Sequence, residues 1–82
     1  MKQWIKLFES NGRQVAVEMT DEDDKLGVTF RWKEDDFAVD TGPQFNTGDD
    51  EKDYELQQKF FDKVDQKITD KYVAGIIEQL GL

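Results

Sequence analysis

Residues 49–82 read DDEKDYELQQKFFDKVDQKITDKYVAGIIEQLGL, and the fold turns on whether this stretch is one amphipathic helix or two. At about 100° per residue, with Tyr54 set to zero, Leu56, Phe60, Phe61, Val64, Ile68 and Tyr72 fall within an arc of roughly 160°. Glu55, Lys59, Asp62, Lys63, Gln66 and Asp70 occupy the other side. From Tyr72 onward the apolar set moves, and Val73, Ile76, Ile77 and Leu80 lie on an arc spanning roughly 0° to 140°. One straight rod cannot send both arcs to the same surface. The spacing therefore predicts a helical segment over 50–80, bent or broken near residues 69–72, with Thr69–Asp70 as the expected second start. Gly81 is the expected stop. The second arc, carrying Val73, Ile77 and Leu80, is expected either to fold back within the chain or to form a homodimer contact.

Upstream, TGPQFNTG carries Gly42, Pro43 and Gly48 and reads as a connection over 42–49. Thr47 followed by Asp50 has the spacing of a capping box, and Asp49 or Asp50 is able to cap alone. Phe45 reads either as a staple against the helix or as an exposed side chain.

The remaining residues, 3–41, alternate with the period of strands. Leu26, Val28, Phe30 and Trp32 alternate with Gly27, Thr29, Arg31 and Lys33. Pairing Met19 with Val28, Val17 with Phe30 and Val15 with Trp32 keeps one face apolar. A turn at Lys33-Glu34-Asp35-Asp36 then predicts Trp32 opposite Phe37 and Phe30 opposite Val39. Around Asn11-Gly12 two registers compete. A two-residue type I′ loop pairs Phe8 with Val15 and Lys6 with Val17, which puts Lys6 among core residues. A three-residue loop with a G1 bulge pairs Leu7 with Val15 and Ile5 with Val17, giving a clean aliphatic face. The second is the expected register, and it sends Trp4 and Phe8 to the opposite face. The sum is an α+β domain: a four-stranded antiparallel β-meander with the C-terminal helical segment packed on one face.

Composition narrows the chemistry. The 82 residues contain no Cys and no His, which removes disulfides, thiolate metal sites and the commonest general base. Nineteen acids against eleven bases give a net charge of -8, which repels nucleic acid and anionic membranes. High charge alone would suit a disordered chain, but six Phe, two Trp and two Tyr in periodic positions favour a folded one. No apolar run approaches a membrane span, MKQWIKLFES lacks the pattern of a signal peptide, and the cytoplasm is the expected location.

Two patches stand out. Asp21, Glu22, Asp23 and Asp24 in the loop between the second and third expected strands, with Asp49, Asp50 and Glu51 at the helix start, are expected at one pole of the molecule, Asp53 beside them. Such a pole suits a basic partner or mimics the phosphates of DNA, while its bland reading is solvated loops and a complemented helix dipole. Neither Asp21–Gly27 nor Asn46–Glu51 has the glycine and ligand spacing of a calcium loop, so no metal is expected. The second patch is Trp4 and Phe8 with Lys6 between them, the composition of a protein-binding surface. Thr29, Arg31 and Lys33 make a short basic stripe, too diluted by Glu9, Glu18 and Asp40 for direct nucleic-acid binding to be expected. Without a nucleophile–base pair or a phosphate-cradling glycine loop, neither an enzyme nor a cofactor site is expected. The residues describe a small acidic module for protein–protein interaction, an inhibitor or adaptor, with a DNA mimic as the competing class.

Overall fold

The computed structural model describes residues 4–22, 25–33 and 35–81. β1 (Ile5–Ser10), β2 (Arg13–Glu22), β3 (Lys25–Lys33), β4 (Ala38–Thr41) and β5 (Gln44–Phe45) form one antiparallel sheet, and α1 (Asp50–Lys63) and α2 (Gln66–Leu80) cover one face. The strand order is β1-β2-β3-β4, with β5 also paired to β3. This is the expected α+β meander and lid.

The β2–β3 register is the expected one: Val15 faces Trp32, Val17 faces Phe30 and Met19 faces Val28. Between β3 and β4 the chain is displaced by two residues, so Trp32 lies opposite Val39 and Phe30 opposite Thr41 rather than Phe37 and Val39. A two-residue shift preserves the faces. It leaves Phe37 outside the ladder and exposed.

The segment expected as a plain connection holds β5. Leu26 pairs with Phe45 and Gly27 with Gln44, in the same register that pairs Phe30 with Thr41. β4 and β5 are thus one line of chain interrupted at Gly42-Pro43. Pro43 has no N–H to donate, yet its carbonyl still accepts from Val28 N at 3.1 Å. Gly42, at φ +150, sits so close to β3 that a Cβ would overlap the Val28 carbonyl oxygen. Phe45 packs partly buried against the core.

The helical segment is two helices, but the break falls at Val64–Asp65, earlier than the Thr69–Asp70 start expected from the arcs. Val64 takes extended backbone angles, and Asp65 caps α2 by accepting from Ile68 N at 2.9 Å. On the same angular scale, α1 buries Asp53, Gln57 and Phe61, a stripe centred near about 300°. α2 buries Thr69, Val73 and Ile76, centred near about 60°. The break resets the phase between these stripes, and both face one sheet. Val73 therefore has no exposed surface to offer a second copy, Ile77 packs partly buried on the core, and only Leu80 of the expected contact trio is exposed.

Phe30 marks the centre of the core. Its ring stacks on Tyr72 of α2 at 4.3 Å and meets Phe60 of α1 edge-on at 6.4 Å, so one strand residue holds both helices. Asp49, rather than Asp50, caps α1 by accepting from Lys52 N at 3.3 Å. Thr47 is bound one turn further on than a capping box would place it. Its N–H and hydroxyl both donate to buried Asp53, at 2.9 and 2.8 Å.

Candidate functional site

The site is built by the turn. Asn11 (φ 53) and Gly12 (φ 75) are both left-handed, as a two-residue type I′ loop requires. The register is accordingly Ser10 with Arg13, Phe8 with Val15 and Lys6 with Val17, not the bulged alternative. The bulged register would keep Lys6 out of the core, but the Lys6 charge is not unpaired there. The Lys6 ammonium donates to the carbonyls of Phe61 at 2.7 Å and Val64 at 3.1 Å, and lies 4.8 Å from the centre of the Phe61 ring. Lys6 is the C-terminal cap of α1, reached from a strand.

Three consequences follow for β1. Phe8 turns inward and packs partly buried on the core, so it is not the outer-face aromatic that the bulged register implied. Trp4, just ahead of the strand, is 57% exposed. Ile5 and Leu7, expected in the core, instead stand on the uncovered face beside Glu18 and Ala16, 44% and 60% exposed. The Asn-Gly dipeptide was the signal that could have identified them.

β1 is also an edge. Trp4 O accepts from Met19 N at 3.4 Å, and Ser10 pairs with Arg13 next to the turn. Even-numbered residues therefore bond to β2, and the peptide groups of Ile5, Leu7 and Glu9 point away from it. Among the described residues, helix α2 closes this edge only at its turn end. Gln66 Nε2 donates to Glu9 O at 2.8 Å and to Asp70 Oδ1 at 2.9 Å, while Ser10 Oγ donates to Asp70 Oδ1 at 2.8 Å. A hollow of about 360 Å³ lies there, lined by Leu7, Phe8, Glu9, Gln14 and Gln66.

The acids divide. Gln57 donates to the carbonyls of Thr20 and Gly27, both at 2.9 Å, which seats α1 over the far end of the β2–β3 hairpin. At about 1.5 Å rise per residue, the helix start reaches the hairpin end. Asp49, Asp50 and Glu51 thus share that pole with Asp21 and with Glu22 at the end of β2. Asp23 and Asp24 lie outside the described residues. Asp53 is withdrawn from the surface by its bonds to Thr47. Among the described residues, no three Asp or Glu side chains converge as a metal site.

The open face of the sheet also carries a polar groove of about 430 Å³, bordered by Glu18, Thr29, Arg31 and Asp40. Arg31 binds Asp40 across the ladder through Nε at 2.9 Å and Nη2 at 3.3 Å, and Thr20 and Thr29 share a hydrogen bond of 3.1 Å. The basic stripe expected around Arg31 is thereby partly neutralised.

Fold and edge together define a sheet-and-lid α+β domain with one covered face, one open face and an open strand beside exposed aliphatic side chains. No family model, curated protein or solved structure matches the chain.

Proposed function

We propose that this chain is a small, acidic, non-catalytic protein–protein interaction module of the cytoplasm, an inhibitor or adaptor, that docks its partner through β1. The observation that carries this reading is the exposure of Leu7 and Ile5 side by side on an edge strand, with Trp4 next to them. Water-exposed aliphatics cost free energy that a partner's surface relieves, at roughly 25 cal/mol per Å² covered.

The competing reading is a DNA mimic acting through Asp21, Glu22, Asp49, Asp50 and Glu51. It is favoured by the placement of the α1 start over the β2–β3 hairpin end. Paired variants separate the two. Partner capture from the native host, identified by mass spectrometry, is expected to be lost for Ile5→Lys with Leu7→Lys. It is expected to survive Asp50→Lys with Glu51→Lys, and to depend only weakly on salt. Loss in the acidic-pole variant, with steep salt dependence, would establish the mimic instead.

A further inference from the structure

Resting on that reading, we propose that β1 takes its partner as an added antiparallel strand, and that this strand carries a basic residue opposite Glu9 and apolar residues opposite Leu7 and Ile5.

The two edges of the sheet differ in a way that selects β1. The β4–β5 line is broken at Gly42-Pro43, and its longest run is four residues. β1 runs six residues with neither proline nor positive φ. An inward-pointing charge commonly guards an edge strand, but Lys6 is spent on the carbonyls that end α1. The N–H and C=O groups of Ile5 and Leu7 and the N–H of Glu9 point outward, and Gln66 occupies only the Glu9 carbonyl. An extended segment laid along this line completes the ladder, the mode of recognition in which main-chain bonds supply affinity and alternate side chains supply selectivity.

The side chains then choose the occupant. On the open face the added strand lies beside Ile5, Leu7 and Glu9, so two apolar residues and one cation match it across the ladder. Glu18, paired with Ile5 on the inner side, adds a second anion to the same row. Of the helix charges at this edge, Asp70 is held by Ser10 and Gln66. A second copy fits worse. A twofold axis at Leu7 would set the copy's Glu9 across from Ile5, leaving acids on both sides of each Ile5 between bodies of net charge -8. It would also bring both Gln66 side chains onto the seam.

The probe is the synthetic peptide Lys-Thr-Val-Thr-Ile, acetylated, amidated and labelled for anisotropy, titrated onto the whole chain. In the proposed register its valine and isoleucine face β1 with their N–H groups and its threonines face away. The expected result is saturable binding, weakened about tenfold or more by N-methylation at valine and isoleucine and changed less than about twofold by N-methylation at the threonines. Replacing its lysine with glutamate is expected to weaken binding several-fold, and Leu7→Lys to abolish it, with the circular dichroism melt of that variant as the folding check. The N-methyl arms use the unaltered protein, so they hold even if a variant fails to fold.

Equal loss in both N-methyl arms, or in neither, would overturn strand addition while leaving side-chain docking on β1 in place. A chain that sediments as a dimer dissociated by Leu7→Lys would make a second copy the occupant. Peptide binding indifferent to Leu7→Lys and Ile5→Lys would remove both the inference and the reading beneath it. Absence of peptide binding overturns the inference alone.

Discussion

The Nζ of Lys6 lies 2.7 Å from the backbone oxygen of Phe61, joining the first strand to the last turn of the first helix. This contact accommodates Lys6 in the register that the Asn11-Gly12 turn sets, and it satisfies the carbonyls of Phe61 and Val64 where α1 ends. Lys6→Met keeps the alkyl stem but leaves the carbonyls of Phe61 and Val64 without their charged donor. It is expected to cost about 1–3 kcal/mol, read as a lower urea midpoint with an unchanged slope. Lys6→Arg is expected to recover part of the loss.

Phe8 and Trp4 separate cleanly. Phe8 packs on the core and Trp4 is mostly exposed. Phe8→Ala is expected to destabilise by about 2–3 kcal/mol, below the range for a fully buried ring, and Trp4→Ala by less than about 0.5 kcal/mol. Thermal melts of the two variants check this. A large loss for Trp4→Ala would show that its ring is buried.

Gln57 is buried and satisfies two strand carbonyls with one amide. Gln57→Leu is expected to cost about 2–3 kcal/mol, because both acceptors lose their donor in a dry place. Gln57→Glu gives a pH test. A carboxylate facing two carbonyl oxygens is repelled, so the introduced carboxyl holds its proton in the folded state, above the value of about 4.3 it has when unfolded. The folded state then binds more protons, and stability relative to the parent falls as pH rises from that unfolded value to the raised folded one. Urea titrations at several pH values measure this slope.

Gly42→Ala is expected to lose more than about 3 kcal/mol, enough to leave little folded protein. Its φ of +150 disfavours any Cβ, and the added carbon would overlap Val28 O. Gly48→Ala, at φ +93 with no atom nearby, is expected to cost only about 1 kcal/mol. Soluble yield and thermal melts of this pair test whether close approach, beyond backbone conformation, fixes Gly42.

Thr69 is fully buried in α2, and its hydroxyl has no hydrogen-bond partner. Thr69→Val replaces the oxygen with a methyl of the same shape, and is expected to raise stability by about 1 kcal/mol. A melting temperature that falls instead would show that the hydroxyl is satisfied.

Much of the architecture was legible because it rests on local periods. Alternation in Leu26, Val28, Phe30 and Trp32 specified β3 and its partner β2, and the drift of the apolar arc after Tyr72 signalled a bend or break, though not its place at Val64–Asp65. The candidate edge was not legible, since it depends on a one-residue choice of register. Ile5 and Leu7 look like core residues until Lys6 is known to have acceptors, and those acceptors lie 55 to 58 residues away in sequence.

By itself the sequence determined the class of the protein: an acidic α+β domain without Cys or His, with an apolar sheet face and two helical stripes. It carried the Asn-Gly turn signal as well, but did not rank that signal against a buried charge. Tertiary structure alone decided three things: Lys6 caps α1, Asp53 and Gln57 belong inside, and β1 keeps an open edge. The physical reason is common to all three. A polar group's place is set by where its partner lies, and these partners come together only when helix and sheet meet.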